Sequence, residues 1–393
     1  MANPYVKRYL MTAGPTPLPP AVSQVMAEPM LYHRSPAFTE LYARVLARLK
    51  DVFGTRNEVL VFASSGTGAM ESAVANLVRP GEPALVAGCG RFGQRWAELC
   101  DAYGARTVHW ETDWGRRIEP AELDARLSEH GSPELVLTTL SETSTGVVND
   151  VRELVEVAHR HGALIVVDAV SGIGAVPCPQ DEWGIDVLVG GSQKALMAPP
   201  GLAFASPNEA ALERAAAAPG RRFYFDWGPT ASGQRASPPD SPFTPAVGLV
   251  AALDVALGLI EAEGLEQVYR RHELLGRATR AAVRALDLEL LGGSGESGNV
   301  VTAVSLPESI DGARVPKLMR ERFNVTIAGG QGRLKGKIAR IAHCGWFGPF
   351  DIVVTVAALE MTLRELGHEV ELGAGVAAAQ QVLEAGVPAA ATA

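Results

Sequence analysis

The sequence predicts an α/β fold with a mainly parallel, seven-stranded sheet, followed by a smaller α+β domain. From Glu58 onward, short apolar runs alternate with amphipathic stretches of helical length, and Gly, Pro or Asp separates them. Strict alternation of strand and helix is typical of parallel sheets that are covered by helices on both faces. The length of 393 residues is enough for two or three domains.

The predicted strands are short apolar runs that lie between turn-forming residues. They cover residues 59–63, 84–87, 107–110, 135–139, 164–167, 187–189 and 202–205. Helices are predicted between most of these strands, at residues 67–78, 92–103, 120–130 and 151–161. The last of these helices follows Asp150, a good capping residue, and ends at Gly162.

The C-terminal third has a different pattern. Two long helical patterns, 246–263 and 265–286, precede a glycine-rich break at 292–298. Beyond the break we predict strands at 300–306, 325–328 and 338–341 and helices at 312–323 and 350–367. We therefore predict a large domain at 17–262, a small domain at 1–16 and 263–380, and a disordered tail at 381–393.

Composition and charge narrow the range of functions. A hydrophobic content of 47% with 20% charged residues excludes a disordered chain. The 35 cationic and 44 acidic residues give a net charge of −9, which argues against a broad nucleic-acid-binding surface. We expect small-molecule partners and no nucleic acid.

Cysteine spacing and apolar runs bear on the compartment. There is no C-x-x-C pair and no His at metal-ligand spacing, so we predict neither disulfides nor a metal site from the four scattered cysteines, Cys89, Cys100, Cys178 and Cys344. No uncharged apolar run reaches the roughly 20 residues that cross a bilayer, and the N-terminus lacks the apolar core of a signal peptide. We expect a cytoplasmic protein with no membrane partner.

Three loops that follow strands are candidates for a ligand site, because open parallel sheets bind ligands beyond the carboxyl ends of their strands. The first, residues 63–71, is rich in small residues and runs from a strand into a helix. Free N–H groups and the helix dipole at such a place suit a phosphate. The loop matches neither a Walker loop nor a dinucleotide fingerprint, and a plain tight turn also explains it.

The other two loops contain Asp168 and Lys194. A carboxylate at a strand end either caps local structure or holds a heterocyclic nitrogen protonated, because negative charge raises the pKa of a ring cation. Lys194 is one of only six lysines beside 29 arginines. A loop lysine is commonly a solvated charge, but a desolvated amine can lose its proton and attack a carbonyl, unlike an arginine. The three loops together are the parts of a pyridoxal phosphate (PLP) site.

Several motifs, in this order and spacing, give a resemblance over nearly the whole chain. They are MTAGPTP at 11–17, SGTG at 65–68, ETSTG at 142–146, DAVSG at 168–172, GSQKAL at 191–196, PPG at 199–201, GGQG at 329–332 and GKIARI at 336–341. The sequence resembles the class V aminotransferases of PLP fold type I, and most closely the alanine/serine–glyoxylate aminotransferases. The resemblance implies PLP as cofactor and a homodimer whose active site is shared between subunits.

The resemblance implies catalytic roles for two residues. Lys194 would hold PLP covalently and shuttle a proton, and Asp168 would pair with the pyridinium nitrogen. Phe92 would stack on the ring, where many relatives have Trp, so the stacking area is smaller in this chain. Core packing is the alternative explanation for Phe92.

Further cofactor contacts follow from the same resemblance. The phosphate would be bound by Ser65, Gly66, Thr67 and Gln193. One or more of the hydroxyls of Thr143, Ser144 and Thr145 would contact the phenolic-oxygen side of the ring. Thr244 would reach the phosphate from the other subunit, although this chain has Ser241 where relatives often carry a Tyr.

Substrate contacts are implied for Arg340, whose planar guanidinium suits a carboxylate, and for Gly14. His33 and Arg34 lie where related phosphoserine aminotransferases grip a substrate phosphate. Structural hydrogen bonding is the alternative role for this pair. Cys344 does not lie where cysteine desulfurases of this fold place their reactive cysteine, and we interpret it as a buried residue.

The function implied is transfer of the amino group of serine or alanine to glyoxylate or another small 2-oxo acid. The alternatives are a transaminase for phosphoserine, aspartate or 2-aminoethylphosphonate, and a PLP-dependent lyase or cysteine desulfurase. A non-enzymatic nucleotide-binding module is disfavoured, because the loop at 63–71 lacks the required glycine spacing.

Overall fold

One large sheet and several small ones organise the chain. The computed structural model describes residues 7–131, 133–218, 220, 222–292 and 298–386. Its strands are β1 (Tyr9–Leu10), β2 (Leu60–Ala63), β3 (Pro83–Gly88), β4 (Arg106–Glu111), β5 (Leu135–Thr139), β6 (Ser141–Glu142), β7 (Val147–Val148), β8 (Leu164–Asp168), β9 (Val187–Gly191), β10 (Leu202–Pro207), β11 (Val301–Ser305), β12 (Val325–Thr326), β13 (Ala328–Gly329) and β14 (Ile338–Ala342).

Helices cover most of the remaining described chain. They are α1 (Pro20–Val25), α2 (Pro36–Phe53), α3 (Gly66–Leu77), α4 (Arg91–Ala102), α5 (Pro120–Glu129), α6 (Val151–Arg160), α7 (Gln180–Trp183), α8 (Glu209–Ala217), α9 (Trp227–Arg235), α10 (Val247–Glu263), α11 (Leu265–Ala285), α12 (Arg314–Phe323), α13 (Pro349–Glu365) and α14 (Ala374–Gly386). A short 3-10 helix spans Gly332–Leu334.

The large sheet has seven strands in the order β2-β10-β9-β8-β5-β3-β4. Strand β10 runs antiparallel to β2 and β9, and the other pairs are parallel. This confirms the predicted mainly parallel, seven-stranded sheet, with each predicted strand present. Because β3, β4, β5, β8 and β9 share one direction, their carboxyl ends meet at one edge of the sheet.

Helices cover both faces of the large sheet, as predicted. Alternate residues of a strand face opposite sides, and in β3 Leu85 belongs to one apolar cluster while Val86 belongs to another. The first cluster includes residues of α2, α5, α6 and α10, and the second includes residues of α3, α4, α8 and α9. Burial on both sides explains why these strands are apolar along their whole length.

A third apolar cluster lies between α11, α13, α14 and the small sheets. In one small sheet β14 lies between β11 and β13, and in another β1 pairs in parallel with β12. Residues 325–328 were predicted as one strand, and this was wrong: β12 and β13 join different sheets. The cluster also takes in Met11 and Ala13, which supports our proposal that residues 1–16 and 263–380 form a small domain.

The C-terminal helix α14 packs on α11 and buries Ala379 and Leu383. Residues 381–386 are therefore helical, although we predicted them as part of a disordered tail. The rest of that tail, 387–393, and residues 293–297 of the glycine-rich break lie outside the described residues. Among the described helices, none has the length and apolar character needed to cross a membrane.

Candidate active site

The carboxyl edge of the large sheet opens into a cavity of about 220 Å³. Strand ends and helix starts bring the lining residues together: Asp168 ends β8, Lys194 follows β9, and α3 and α4 begin after β2 and β3. Eight of the predicted site residues line this cavity, namely Gly14, Ser65, Gly66, Thr67, Phe92, Asp168, Gln193 and Lys194. The cavity thus lies at the edge of the sheet where the sequence predicts a ligand site.

Lys194 is a buried amine at the floor of the cavity. Its Nζ donates a hydrogen bond to the carbonyl oxygen of Ala13. Burial lowers the pKa of Lys194, and the attraction of Asp168 opposes this shift. Gly14 has φ of +121°, and a Cβ there would lie 2.4 Å from Cε of Lys194, so only glycine fits beside the amine. A desolvated amine of this kind is suited to nucleophilic attack on a carbonyl.

Asp168 is a buried carboxylate with few donors around it. Its Oδ1 accepts one hydrogen bond, from the N–H of Val170 at 2.8 Å. Burial raises the pKa of Asp168 to about 7, while the Val170 N–H acts in the opposite direction. A cationic group bound in the cavity would restore the ionised form, because opposite charges stabilise each other in a low-dielectric site.

The start of α3 forms a cradle for an anion. Its capping residue Ser65 makes no side-chain capping bond, and the first N–H groups of a helix have no partner within it. A Cβ on Gly66 would lie 2.8 Å from both methyl groups of Val170, so glycine allows the close approach. Beside this cradle, Oε1 of Gln193 is buried without a hydrogen-bond partner among the described residues. Such an unsatisfied polar atom fits a site that is completed by a ligand.

Arg95 was not predicted, yet it lines the cavity beside Phe92. Its guanidinium lies 4.9 Å from the centroid of the Phe92 ring, and its Nη1 donates to Oγ1 of Thr67 at 3.1 Å. Because Thr67 accepts this bond, its own hydroxyl hydrogen is free to donate to an anion in the cradle. The signal in the sequence was helical spacing, since Arg95 lies three residues after Phe92 and on the same helix face.

Arg340, on β14, reaches the same region from the small sheet. It is buried, its Nη1 donates to the carbonyl oxygen of Thr143 at 2.7 Å, and its Nε donates to that of Gly329 at 2.9 Å. Burial lowers the pKa of Arg340, and the nearby Glu142 carboxylate opposes this. The positive charge of Arg340 acts with burial to lower the pKa of Lys194, although Arg340 is not among the residues that line the cavity.

Thr143 and Ser144 lie behind the cavity rather than among the residues that line it. The Ser144 hydroxyl donates to Oε1 of Glu142 at 2.6 Å and accepts from the N–H of Arg91 at 3.0 Å. Its only hydrogen is therefore already used inside the protein. A direct contact between Ser144 and a cofactor has no support from this geometry, whereas the role of Thr143 remains a prediction.

Besides Arg340, Thr143 and Ser144, three further predicted residues do not line the cavity in the single chain: His33, Arg34 and Thr244. Thr244 is exposed and lines a separate surface depression with Tyr224 and Phe243. Arg34 is exposed and pairs with Asp240 at 3.5 Å, and the His33 ring packs edge-on against Tyr32. Their predicted contacts with cofactor or substrate therefore require a second subunit.

Metal ligands are not grouped in the described part of the chain. No set of three or more His, Cys, Asp or Glu side chains there is arranged to hold an ion. The four cysteines are free and buried.

Comparisons with known proteins cover almost the whole chain. Residues 8–340 match the family model "Aminotransferase class-V". The small subunit of a soluble hydrogenase from Synechococcus sp. (strain PCC 6716) is 44% identical, over 96% of this chain and 98% of that protein. The serine–glyoxylate aminotransferase of Methylorubrum extorquens is 36% identical, over 96% of each. The crystal structure of ureidoglycine–glyoxylate aminotransferase from Bacillus subtilis superimposes with a TM-score of 0.90 at 30% identity, covering 98% of this chain and 100% of that one.

Proposed function

The chain belongs to the class V aminotransferases, and we propose that it transfers the amino group of serine or alanine to glyoxylate or another small 2-oxo acid. One observation carries this proposal: a desolvated lysine, an under-bonded aspartate and an anion cradle converge on one cavity. The cofactor is pyridoxal 5′-phosphate, which supplies an aldehyde that exchanges with amino groups and a ring that accepts electrons from the substrate carbon.

The residues of the cavity fit this cofactor. In our proposal the Lys194 amine holds it covalently, Asp168 pairs with its ring nitrogen, and Phe92 packs on the ring. The cradle of Ser65, Gly66 and Thr67 binds the phosphate, and the Ser65 side chain makes no capping bond that would compete. Gln193 adds its amide N–H₂ as a donor to the phosphate, while its unpaired Oε1 is an acceptor and does not bind the anion. The pKa of Asp168 supports the pairing, because a buried carboxylate with one donor gains most from a cation.

In our proposal Arg340 binds the substrate carboxylate. A guanidinium has five N–H groups, and Arg340 uses one for Gly329 and one for Thr143. The remaining groups include both on Nη2, which can take a carboxylate in the planar geometry that arginine favours. With the carboxylate held there, Lys194 is the base that moves the proton at the substrate α-carbon.

A donor panel tests this proposal directly. We expect serine or alanine to bleach the visible absorbance of protein-bound PLP in a single turnover, and glyoxylate to restore it. D-alanine is the control donor and leaves the absorbance unchanged. Phosphoserine, aspartate and 2-aminoethylphosphonate belong in the same panel, and faster conversion by one of them would replace the donor proposed here.

Two other activities are less consistent with the geometry. A cysteine desulfurase needs a reactive thiol, but Cys344 is fully buried and its burial raises its pKa to about 11. The Synechococcus relative is named as a hydrogenase subunit, so the second alternative is a role of this chain within a larger complex. Turnover by the purified chain alone distinguishes catalysis from such a role.

The free, buried cysteines also support a reducing, cytoplasmic location.

We propose further that the chain acts as a homodimer. Phe223 is 84% exposed, Met30 is 79% exposed and Tyr32 is 63% exposed, an unusual exposure for large apolar side chains. Phe223 and Tyr224 pack on Phe243, directly before Thr244. The Arg34–Asp240 pair links this segment to the loop that carries Met30 and Tyr32. A second copy covering this surface would bring Thr244 toward the partner's phosphate cradle.

Sedimentation tests the dimer. Phe223→Arg combined with Tyr32→Arg should produce monomers that retain PLP weakly, because Thr244 of the partner is then missing from the phosphate site. Leu372→Arg is the matched control, since Leu372 is 46% exposed on a different part of the surface. A double variant that remains dimeric would overturn the proposed interface.

A further inference from the structure

Glu142 is a fully buried carboxylate behind the cavity, and the function proposed above gives it no role. Its Oε2 accepts hydrogen bonds from the N–H groups of Phe92 at 2.9 Å and Gly93 at 3.2 Å. Its Oε1 accepts from Ser144, from the N–H at 3.1 Å and from the hydroxyl at 2.6 Å. Burial raises the pKa of Glu142 and all four donors oppose this. A protonated carboxyl would direct a donor at other donors, so the arrangement fits the ionised form.

These bonds connect two walls of the active site. Phe92 and Gly93 belong to the first turn of α4, so Glu142 holds the backbone that carries the Phe92 ring. Ser144 belongs to the turn whose preceding residue, Thr143, accepts the hydrogen bond of Arg340. The negative charge of Glu142 also stabilises the buried guanidinium of Arg340. One carboxylate thus contacts both the ring-packing helix and the turn that anchors the carboxylate-binding arginine.

The packing around Glu142 is tight. A Cβ on Gly90 would lie 2.5 Å from Cγ and Cδ of Glu142 and 2.5 Å from Oγ of Ser144. Gly90 has an extended φ of 169°, so contact rather than backbone conformation requires glycine there. The side chain of Glu142 therefore has little room for another position.

We propose that Glu142 is a positioning residue of the transaminase: through one buried anion it fixes Phe92 against the cofactor ring and Arg340 at the substrate carboxylate. This inference rests on the proposed function of the cavity. Glu142 acts through Phe92 and Arg340 and does not itself contact substrate. We therefore expect loss of Glu142 to weaken binding of the substrate carboxylate and to alter the packing on the cofactor ring. The effect on proton transfer at Lys194 should be smaller.

Glu142→Gln is the main test, made on the PLP-loaded enzyme. A glutamine keeps the shape but has one acceptor oxygen, so its amide nitrogen faces either Ser144 N–H or the N–H groups of Phe92 and Gly93. We expect the dissociation constant of a non-reacting 2-hydroxy acid, read from the absorbance of bound PLP, to rise about ten- to a hundredfold, the usual cost of losing hydrogen bonds to a charged group. KM for the amino donor should rise by a similar factor, with a smaller change in kcat. The circular dichroism of bound PLP should also change.

Asp186→Asn is the matched control. Asp186 is equally buried and also accepts backbone and side-chain donors, but it lies at the opposite edge of the same sheet. We expect this variant to lose stability while the dissociation constant of the 2-hydroxy acid and the circular dichroism of PLP stay at wild-type values. If both variants weakened carboxylate binding equally, Glu142 would be a structural residue only.

A second variant decides the matter if Glu142→Gln does not fold. Ser144→Ala keeps the charge and removes the hydroxyl bond to Oε1, and we expect a rise of about threefold to tenfold in the same dissociation constant. An unchanged constant in a folded variant, with active wild-type enzyme, overturns the role of Glu142. Wild-type enzyme that neither binds the 2-hydroxy acid nor transaminates any donor overturns the proposed function instead.

Discussion

Two buried aspartates lie at opposite ends of neighbouring strands and differ in the number of hydrogen bonds that they accept. Asp186 precedes β9 at the amino edge, where Ile165 N–H and His159 Nε2 contact Oδ2 at 2.8 Å and 3.0 Å and Asn208 Nδ2 contacts Oδ1 at 2.8 Å. Asp168 ends β8 at the carboxyl edge, where one N–H contacts it. Both side chains are buried to a similar degree, so the two sites differ in hydrogen bonding and not in burial.

This difference indicates where the protein binds a ligand. At the amino edge the Asp186 carboxylate finds its hydrogen-bond donors within the protein, as a buried carboxylate requires. At the carboxyl edge Asp168 has one donor, Oε1 of Gln193 has no partner among the described residues, and α3 begins without a side-chain cap. These under-bonded groups lie around one cavity, at the edge where open α/β sheets bind ligands.

The largest effect is expected at the carboxyl edge from Lys194→Ala. The variant should lose the visible absorbance of covalently bound PLP and at least about 10³-fold in kcat, because both the attachment point and the base are gone. Lys194→Arg is the control that keeps the charge, and it should be equally inactive since a guanidinium cannot form the same bond. Activity in the arginine variant would show that charge, not chemistry, is the contribution of this residue.

Asp168→Asn should lower kcat by about 10²- to 10³-fold, a cost typical of removing one preorganised electrostatic partner. The asparagine oxygen still accepts the Val170 N–H, so the loop conformation is retained. The decisive measurement compares kcat with the affinity for PLP phosphate analogues, which bind the cradle without needing Asp168. An equal loss in both would indicate that the loop, rather than the ring partner, had been damaged.

The same substitution should stabilise the protein without PLP, and the effect depends on pH. The pKa of Asp168 is about 7 in the folded protein, against an ordinary value near 4 in the unfolded chain. The unfolded chain therefore releases this proton first, and the unfolding free energy falls as pH rises from about 4 to 7. Asn removes this penalty, so the variant should be more stable than wild type at pH 8, by at most about 4 kcal/mol, and nearly equal at pH 4. Urea unfolding at the two pH values measures the difference, and a less stable variant at pH 8 would contradict the assignment.

Much of the carboxyl edge was predictable because its signals are local. The seven strands are short apolar runs, and Lys194 is conspicuous in a chain with few lysines. Helix α2 was missed although its signals are present: the Ser35 hydroxyl accepts from Phe38 N–H, Pro36 opens the helix and Gly54 ends it with φ of 60°. These capping residues made helix α2 predictable from the sequence alone.

Other features depend on contacts that a sequence pattern does not contain. Strand β12 exists because β1, from the far N-terminus, pairs with it, so local periodicity merged it with β13. Glu142 lies inside a motif that was noticed, but its role follows from donors on two separate segments. Arg95 shares a helix face with Phe92, but it is one of 29 arginines, so this spacing alone does not single it out without its contacts to Phe92 and Thr67.

Arg340→Lys should have an intermediate effect that is confined to substrate binding. Lysine keeps the charge but cannot bind Gly329, Thr143 and a carboxylate in one plane, so KM should rise about ten- to a hundredfold while the absorbance of bound PLP is unchanged. Steady-state kinetics with serine and glyoxylate measure the change. A fall in kcat with an unchanged KM would place Arg340 in a different role.

The smallest catalytic effect is expected at the amino edge, from Asp186→Asn. Asparagine retains one acceptor oxygen, and its amide nitrogen must face Ile165 N–H and His159 or else Asn208, so at least one buried donor loses its partner. The unfolding free energy should fall by about 1–3 kcal/mol at pH 8, whereas Asp168→Asn at the same pH raises it. Both kcat and KM should stay within about twofold of wild type, since this network satisfies itself and touches no residue of the cavity. Measured side by side at pH 8, the two Asp→Asn variants should change the unfolding free energy in opposite directions. This comparison is the most direct test of the difference between the two edges of the sheet. Equal signs would mean that Asp168 is as fully bonded in solution as Asp186.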